Sequence, residues 1–297
     1  MSVRAELLVA YFRLIREKRT WSGPRELERE IRRSRRPSHA RLPRRLRRRY
    51  DVEQRDVDGF PCFTIRRRAG GTGPHVLHLH GGAYVQQIEA HHWRFVERLI
   101  GLLDAVVTVP LYPLAPAHDV TETLPWVRSV YDRTLADEEP ARRILMGDSA
   151  GGGLCLALAQ WFCDEGHPQP GRIVLLSPWL DVTMNGPQVA EQDARDPYLA
   201  APGLAEAGRR YAGPLEVEDP RVSPLFGSLD GLAPMAVFIG TRDVLLPDAR
   251  RLRKDAAAAG VPLDYWEYTG MVHNWPMRRL PEARRALDQL TELLRVH

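Results

Sequence analysis

The chain has 297 residues, of which 44% are hydrophobic and 27% charged, with a formal net charge of +4. That composition can fill a large buried core in one α/β unit, while no apolar run approaches the ~20 residues a membrane span needs. Three cysteines argue against a disulfide framework: Cys155 and Cys163 fall on one predicted helix, ~12 Å apart along its axis, and none has metal-ligand spacing.

The charge is unevenly placed. Twelve Arg and three Glu lie between Arg25 and Arg49, and the chain from Tyr50 onward is net acidic. Such a basic segment could meet nucleic acid or anionic lipid, but it lacks the interleaved aromatics of a base-stacking platform. It reads as a solvated helical cap that pairs with the acidic body, with no nucleic-acid partner and no stable membrane insertion. Met1-Ser2-Val3-Arg4 does not open a signal peptide, so a cytoplasmic location is expected.

The predicted elements run as follows. Leu7, Leu8, Tyr11, Leu14 and Ile15 recur at helical spacing and predict an amphipathic first helix with that stripe buried. Ser22-Gly23-Pro24 breaks it and a second helix starts near Pro24. Pro37 and Pro43 make the basic stretch irregular. Residues 52–57 and 60–66 read as strands joined at Asp58-Gly59. Strands are then expected at 76–80, 105–109, 143–147, 173–177, 235–240 and 263–268. Helices are expected at 92–103, 124–135, 150–163, 248–259 and 281–296. This β–α alternation implies a mostly parallel sheet covered on both faces. Residues 180–223 break the rhythm, with one helix near 203–211, and read as an excursion over the core.

Gly147-Asp148-Ser149-Ala150-Gly151 is a G-x-S-x-G pentapeptide between an apolar strand and an apolar helix, the context a nucleophile elbow requires. A serine needs a base, and on such a turn the chain order is Ser, acid, His. Three histidines follow Ser149: His167, His273 and the terminal His297. His167 lies in a polar loop past the nucleophile helix, whereas His273 follows the strand 263–268 and emerges at the carboxyl edge of the sheet with Ser149. Asp243 follows the strand 235–240 at the same edge. Asp248 reads as a helix-opening residue, Asp264 lies inside a strand, and Asp181 follows an earlier one. His80-Gly81-Gly82-Ala83-Tyr84, after the strand 76–80, supplies an oxyanion hole over Gly81, Gly82, Ala83 and Ala150, with the N–H groups of Gly82, Ala83 and Ala150 as donors.

These motifs, together with Tyr112-Pro113-Leu114-Ala115-Pro116, Ser177-Pro178-Trp179-Leu180-Asp181, Asp196-Pro197-Tyr198-Leu199 and Ser223-Pro224-Leu225, resemble the bacterial hormone-sensitive-lipase family of α/β-hydrolases over most of the chain. The resemblance implies an α/β-hydrolase fold with an eight-stranded, mostly parallel sheet flanked by helices. It implies cap helices over residues 1–50, a catalytic domain over 51–297 and a cap insertion at about 181–222. It further implies hydrolysis of carboxylic esters with short to medium acyl chains, through a Ser149–His273–Asp243 triad and an acyl-enzyme. Two positions depart from the pattern: Ala83 stands where the family usually has a third glycine, and Ala117 where it usually has Glu.

The expected partner is a small-molecule ester or lactone, since lactone hydrolases of this kind use the same machinery. A homodimer is compatible with the sequence. No motif points to a metal, nucleotide or flavin, so no cofactor is expected. The reading from another class is a catalytically silent small-molecule binding protein on the same fold, which the retention of all three triad residues disfavours.

Overall fold

A computed structural model describes residues 1–35 and 41–295. Eight strands form one sheet in the order β1-β2-β4-β3-β5-β6-β7-β8: β1 (Asp51–Val57), β2 (Phe60–Arg66), β3 (His75–Leu79), β4 (Val106–Pro110), β5 (Arg143–Asp148), β6 (Arg172–Leu176), β7 (Met235–Gly240) and β8 (Leu263–Tyr268). The strand β2 runs antiparallel to β1 and β4, and all other pairs are parallel. The β1–β2 hairpin turns at Asp58 and Gly59, both at positive φ (49° and 89°), the conformation a tight two-residue turn demands.

Alternation along the strands divides the interior into two cores. Leu77, Leu79, Leu145, Ile173, Leu175, Val237 and Ile239 pack with helices α5 (Val120–Thr134), α6 (Ala150–Asp164) and α9 (Leu246–Ala258). Their neighbours Val76, Val107, Ile144, Met146, Val174, Ala236 and Phe238 face α4 (Ala90–Leu103) and α10 (Pro281–Leu294). With both faces covered, the central strands are mostly apolar, as a parallel sheet favours. The expected fold class is borne out.

The N-terminal segment forms α1 (Val3–Ile15), a 3-10 turn at Glu17–Trp21, α2 (Pro24–Ser34) and α3 (Arg44–Arg49). The excursion after β6 carries α7 (Val189–Arg195) and α8 (Ala201–Ala212). The two regions meet. Phe12 packs on Tyr198 with ring centroids 4.8 Å apart. Lys18 pairs with Asp193 at 3.2 Å and Arg210 with Glu28 at 2.8 Å. Gly203 abuts the Trp21 backbone so closely that a Cβ there would collide with it.

Three local expectations need correction. The buried face of α1 is Ala5, Val9 and Phe12, while Leu7 and Leu14 are 64% and 80% exposed and Tyr11 and Ile15 also face outward. The helix is apolar on nearly every side, so periodicity alone cannot choose its face; the small Ala5 and the Phe12–Tyr198 contact do. Two short helices, α3 and α7, arise where an irregular segment was read. The final helix ends at Leu294, and Val296, His297, Pro37 and His39 lie outside the described residues. Among the described residues no helix is long and apolar enough to cross a membrane, and the three cysteines are free thiols.

Candidate active site

The last residue of β5 is Asp148, and Ser149 turns the chain into α6 with φ 53° and ψ −121°. A non-glycine residue holds such a conformation only when its surroundings over-determine it. Here the Ser149 N–H donates to the Leu176 carbonyl at 2.9 Å, and its own carbonyl accepts from Gly152, Gly153 and Trp179. Any side chain at Gly151 would strike the Leu79 carbonyl, so the elbow can press against β3 only with glycine there.

Asp243 and His273 come from the loops after β7 and β8, and both are buried. The Nδ1 of His273 lies 2.9 Å from Asp243 Oδ2, and Asp243 Oδ1 accepts from the Leu245 N–H at 3.1 Å. Burial pushes the imidazole pKa down, but the charge of Asp243 and its hydrogen bond, helped by Asp196 and Asp148, more than offset this and raise it above the ordinary 6.5. Ser149 and His273 line one narrow cleft. They are not directly hydrogen-bonded to each other, and nucleophile–base contacts often close only on bound substrate. The exposed His167 stacks instead on Phe162, beyond the far end of α6.

The loop expected to hold the oxyanion lines the same cleft as Ser149. Gly82 and Ala83 both have positive φ (125° and 51°), a conformation in which successive backbone amides can form an anion-binding concavity. Among the described residues the N–H groups of Gly82, Ala83 and Ala150 have no protein acceptor, whereas the Gly81 N–H donates to Asp148 Oδ1 at 3.0 Å. Gly81 is therefore not a free donor; a Cβ on it would collide with the Asp148 carboxylate, so its part is to let the loop approach. His80 stacks on Tyr112 at 4.4 Å and accepts the Tyr112 hydroxyl on its carbonyl at 2.6 Å. Its imidazole is driven by burial down to about 3, so it is neutral.

Sequence reasoning passed over a second buried cluster, centred on Asp148. Its Oδ1 takes the Gly81 N–H; its Oδ2 lies 2.6 Å from Asn274 Nδ2 and 3.3 Å from His92 Nε2. One carboxylate thus ties the oxyanion loop, the His273 loop and the start of α4 to the elbow. Burial pushes its pKa up, but His92, by charge and hydrogen bond, together with His78 and His91, holds it well below the usual carboxylate range. Asp196 does similar work across the excursion, accepting the N–H groups of Tyr198 (2.7 Å), Leu199 (3.0 Å) and Val244 (2.8 Å). Burial and the charge of Asp243 push the Asp196 carboxyl up to about 7. The one available signal for His92 was the Glu89-to-His92 spacing at a helix start, which forms a reciprocal cap. No group of three or more His, Cys, Asp or Glu suited to holding a metal occurs among the described residues.

A family model described as alpha/beta hydrolase fold matches residues 76–277. The chain belongs to the α/β-hydrolases, in the bacterial hormone-sensitive-lipase family. This α/β-hydrolase is 34% identical over 221 residues to an esterase of Acinetobacter venetianus, covering 73% of each chain. It is 33% identical to an acetyl-hydrolase of Streptomyces hygroscopicus, covering 77% of this chain and 78% of the relative. Among solved structures, an esterase from the bacterial hormone-sensitive lipase family superposes on the hydrolase with a TM-score of 0.81 at 28% identity, covering 99% of this chain and 98% of the other.

Proposed function

We propose that this chain hydrolyses carboxylic esters of short to medium acyl chain through Ser149, His273 and Asp243. That it is an ester-hydrolysing enzyme follows from its family, whose named relatives are esterases, lipases and acetyl-hydrolases. The observation that carries the triad reading is the buried His273–Asp243 hydrogen bond, on the same cleft as the strained Ser149.

Asp243 accepts a hydrogen bond from the Nδ1–H of His273, which leaves the Nε2 lone pair for the serine hydroxyl. Ser149 Oγ attacks the ester carbonyl as His273 takes its proton. The N–H groups of Gly82, Ala83 and Ala150 receive the oxyanion. His273 returns the proton to the leaving alcohol, and a water, activated by the same imidazole, releases the acid from the acyl-enzyme. Residues 1–50 and the insertion at about 181–222 act as a cap: Trp21 from the first and Tyr198, Leu199 and Leu204 from the second line the cleft. The test is Ser149→Ala, assayed on aryl esters. Turnover should fall ~10³-fold or more with the fold retained, and near-normal turnover would refute the assignment.

A further inference from the structure

The cleft has a polar wall that the triad does not use. Gln86, Gln87, Glu89 and His91, from the loop after β3 and the first turn of α4, line it beside Ser149. Gln86 donates its amide to Glu30 at 3.1 Å, which leaves its Oε1 as an acceptor. The Oε1 of Gln87 accepts the Ile88 N–H at 3.0 Å, which leaves its NH₂ as a donor. Glu89 lies 3.1 Å from His91 Nδ1. Burial works against its charge, but His91, by hydrogen bond and charge, with His92 and Arg278, holds the carboxyl well below the usual range. Burial and the neighbouring His92 charge take His91 down to about 4. At neutral pH this wall therefore presents a fixed carboxylate, an amide acceptor and an amide donor.

An apolar extension along α6 is closed off. Tyr84, next after Ala83, stacks on Tyr211 with ring centroids 3.6 Å apart and on Trp179 at 5.6 Å. All three rings are fully buried. The Tyr84 hydroxyl packs against α6, where a Cβ on Gly153 would lie 2.6 Å from it. The ground along α6 beneath Ser149 is thus filled by aromatic rings. Trp21 and Tyr198, on the cap side of the cleft, bring aromatic rings to it.

We infer that the substrate is an ester of a hydroxyl-rich alcohol, a polyol or sugar, with a short, acetyl-sized acyl group. This rests on the triad reading and narrows it. An apolar chain laid on the wall would strip water from Gln86, Gln87 and Glu89 without replacing their hydrogen bonds. Alcohol hydroxyls replace them, and an aromatic ring of the cleft lining can cover the C–H face of a sugar. A site built to bond hydroxyl groups discriminates strongly against analogues that lack them.

The experiment compares kcat/KM of the full chain on a monoacetylated methyl glucoside and on cyclohexyl acetate, of similar ring size, and on p-nitrophenyl acetate and octanoate. We expect the sugar ester to exceed cyclohexyl acetate by ~10-fold or more, and acetate to exceed octanoate by a similar factor. In Gln87→Leu the sugar-to-cyclohexyl ratio should fall ~10-fold, through KM. Equal or better use of cyclohexyl acetate, a preference for octanoate, or an unchanged ratio in Gln87→Leu would each overturn the inference. Failure of the triad reading is distinguishable: no ester is cleaved and a fluorophosphonate probe leaves Ser149 unlabelled, in which case this inference falls with it.

Discussion

Two buried aspartate–histidine pairs flank the nucleophile elbow, and they differ in how many hydrogen bonds each imidazole has left. In the Asp243–His273 pair, Nδ1 is engaged at 2.9 Å and no protein acceptor or donor occupies Nε2 among the described residues. In the Asp148–His92 pair both nitrogens are committed: Nδ1 accepts the Glu89 N–H at 3.0 Å, so Nε2 carries the proton that points to Asp148 at 3.3 Å. The residue types are the same. Spare bonding capacity, not identity, separates an imidazole able to move a proton from one that pins loops together.

Replacing each aspartate by its amide should break the two pairs in different ways. Asp243→Asn is expected to lower kcat by ~10⁴-fold with little change in melting temperature, because the imidazole loses its tautomer and its stabilised charge. Asp148→Asn would set an amide NH₂ or lose an acceptor against the donors Gly81 N, His92 Nε2 and Asn274 Nδ2. One unsatisfied buried contact of this sort costs about 1–3 kcal/mol, so a ~10–100-fold loss in kcat/KM should accompany a measurably lower melting temperature. Equal losses in both variants, measured by steady-state kinetics and thermal melts, would remove the distinction.

The pH profile sharpens the same contrast. In the proposed mechanism His273 must be neutral to take the serine proton, so kcat/KM should rise with pH through its pKa, which Asp243, Asp196 and Asp148 place above the ordinary 6.5. Asp196→Asn removes the charge Asp196 carries once it is deprotonated and keeps an oxygen for the Tyr198 and Leu199 N–H groups, with its NH₂ turned to the Val244 N–H. The limb should then move to lower pH, by roughly one unit at most. A move to higher pH would reverse the assigned electrostatics, and a limb that survives His273→Gln would transfer the titration to another group.

Much of this was legible in the sequence because it is local. The strand–turn–helix context around Ser149 and the strand ends before Asp243 and His273 are properties of short windows, and the sheet topology follows from β–α alternation. The Asp148 cluster was not legible for the opposite reason. Its partners lie 67, 56 and 126 residues away, and no periodicity marks them; Asp148 itself is only the unspecified position of G-x-S-x-G. Gly81 is grouped with the oxyanion hole in the sequence because nothing in its window shows that its N–H is held by the Asp148 carboxylate. The sequence points to the wrong face of α1 because Leu7, Leu8, Tyr11, Leu14 and Ile15 recur at helical spacing as well as the buried Ala5, Val9 and Phe12 do.

The smallest expected effect tests that last correction. Phe12 packs at a tilt against Tyr198 at 4.8 Å, and Tyr198 stacks in turn on His273 at 6.0 Å. The inner face of α1 therefore supports the pair that must move a proton, while its outer face touches neither pair. Leu7→Asp with Tyr11→Asp places charges where the side chains are 64% and 54% exposed. Surface substitutions of this kind stay within about 0.5 kcal/mol each, so the double variant should keep its melting temperature and its kcat/KM on short and medium aryl esters. Phe12→Ala, the matched control, opens a cavity beneath Tyr198 and should lower both. If the double variant instead falls as far as Phe12→Ala, the outer stripe is covered in solution. Light scattering of the two proteins would then show whether a second copy of the chain is what covers it.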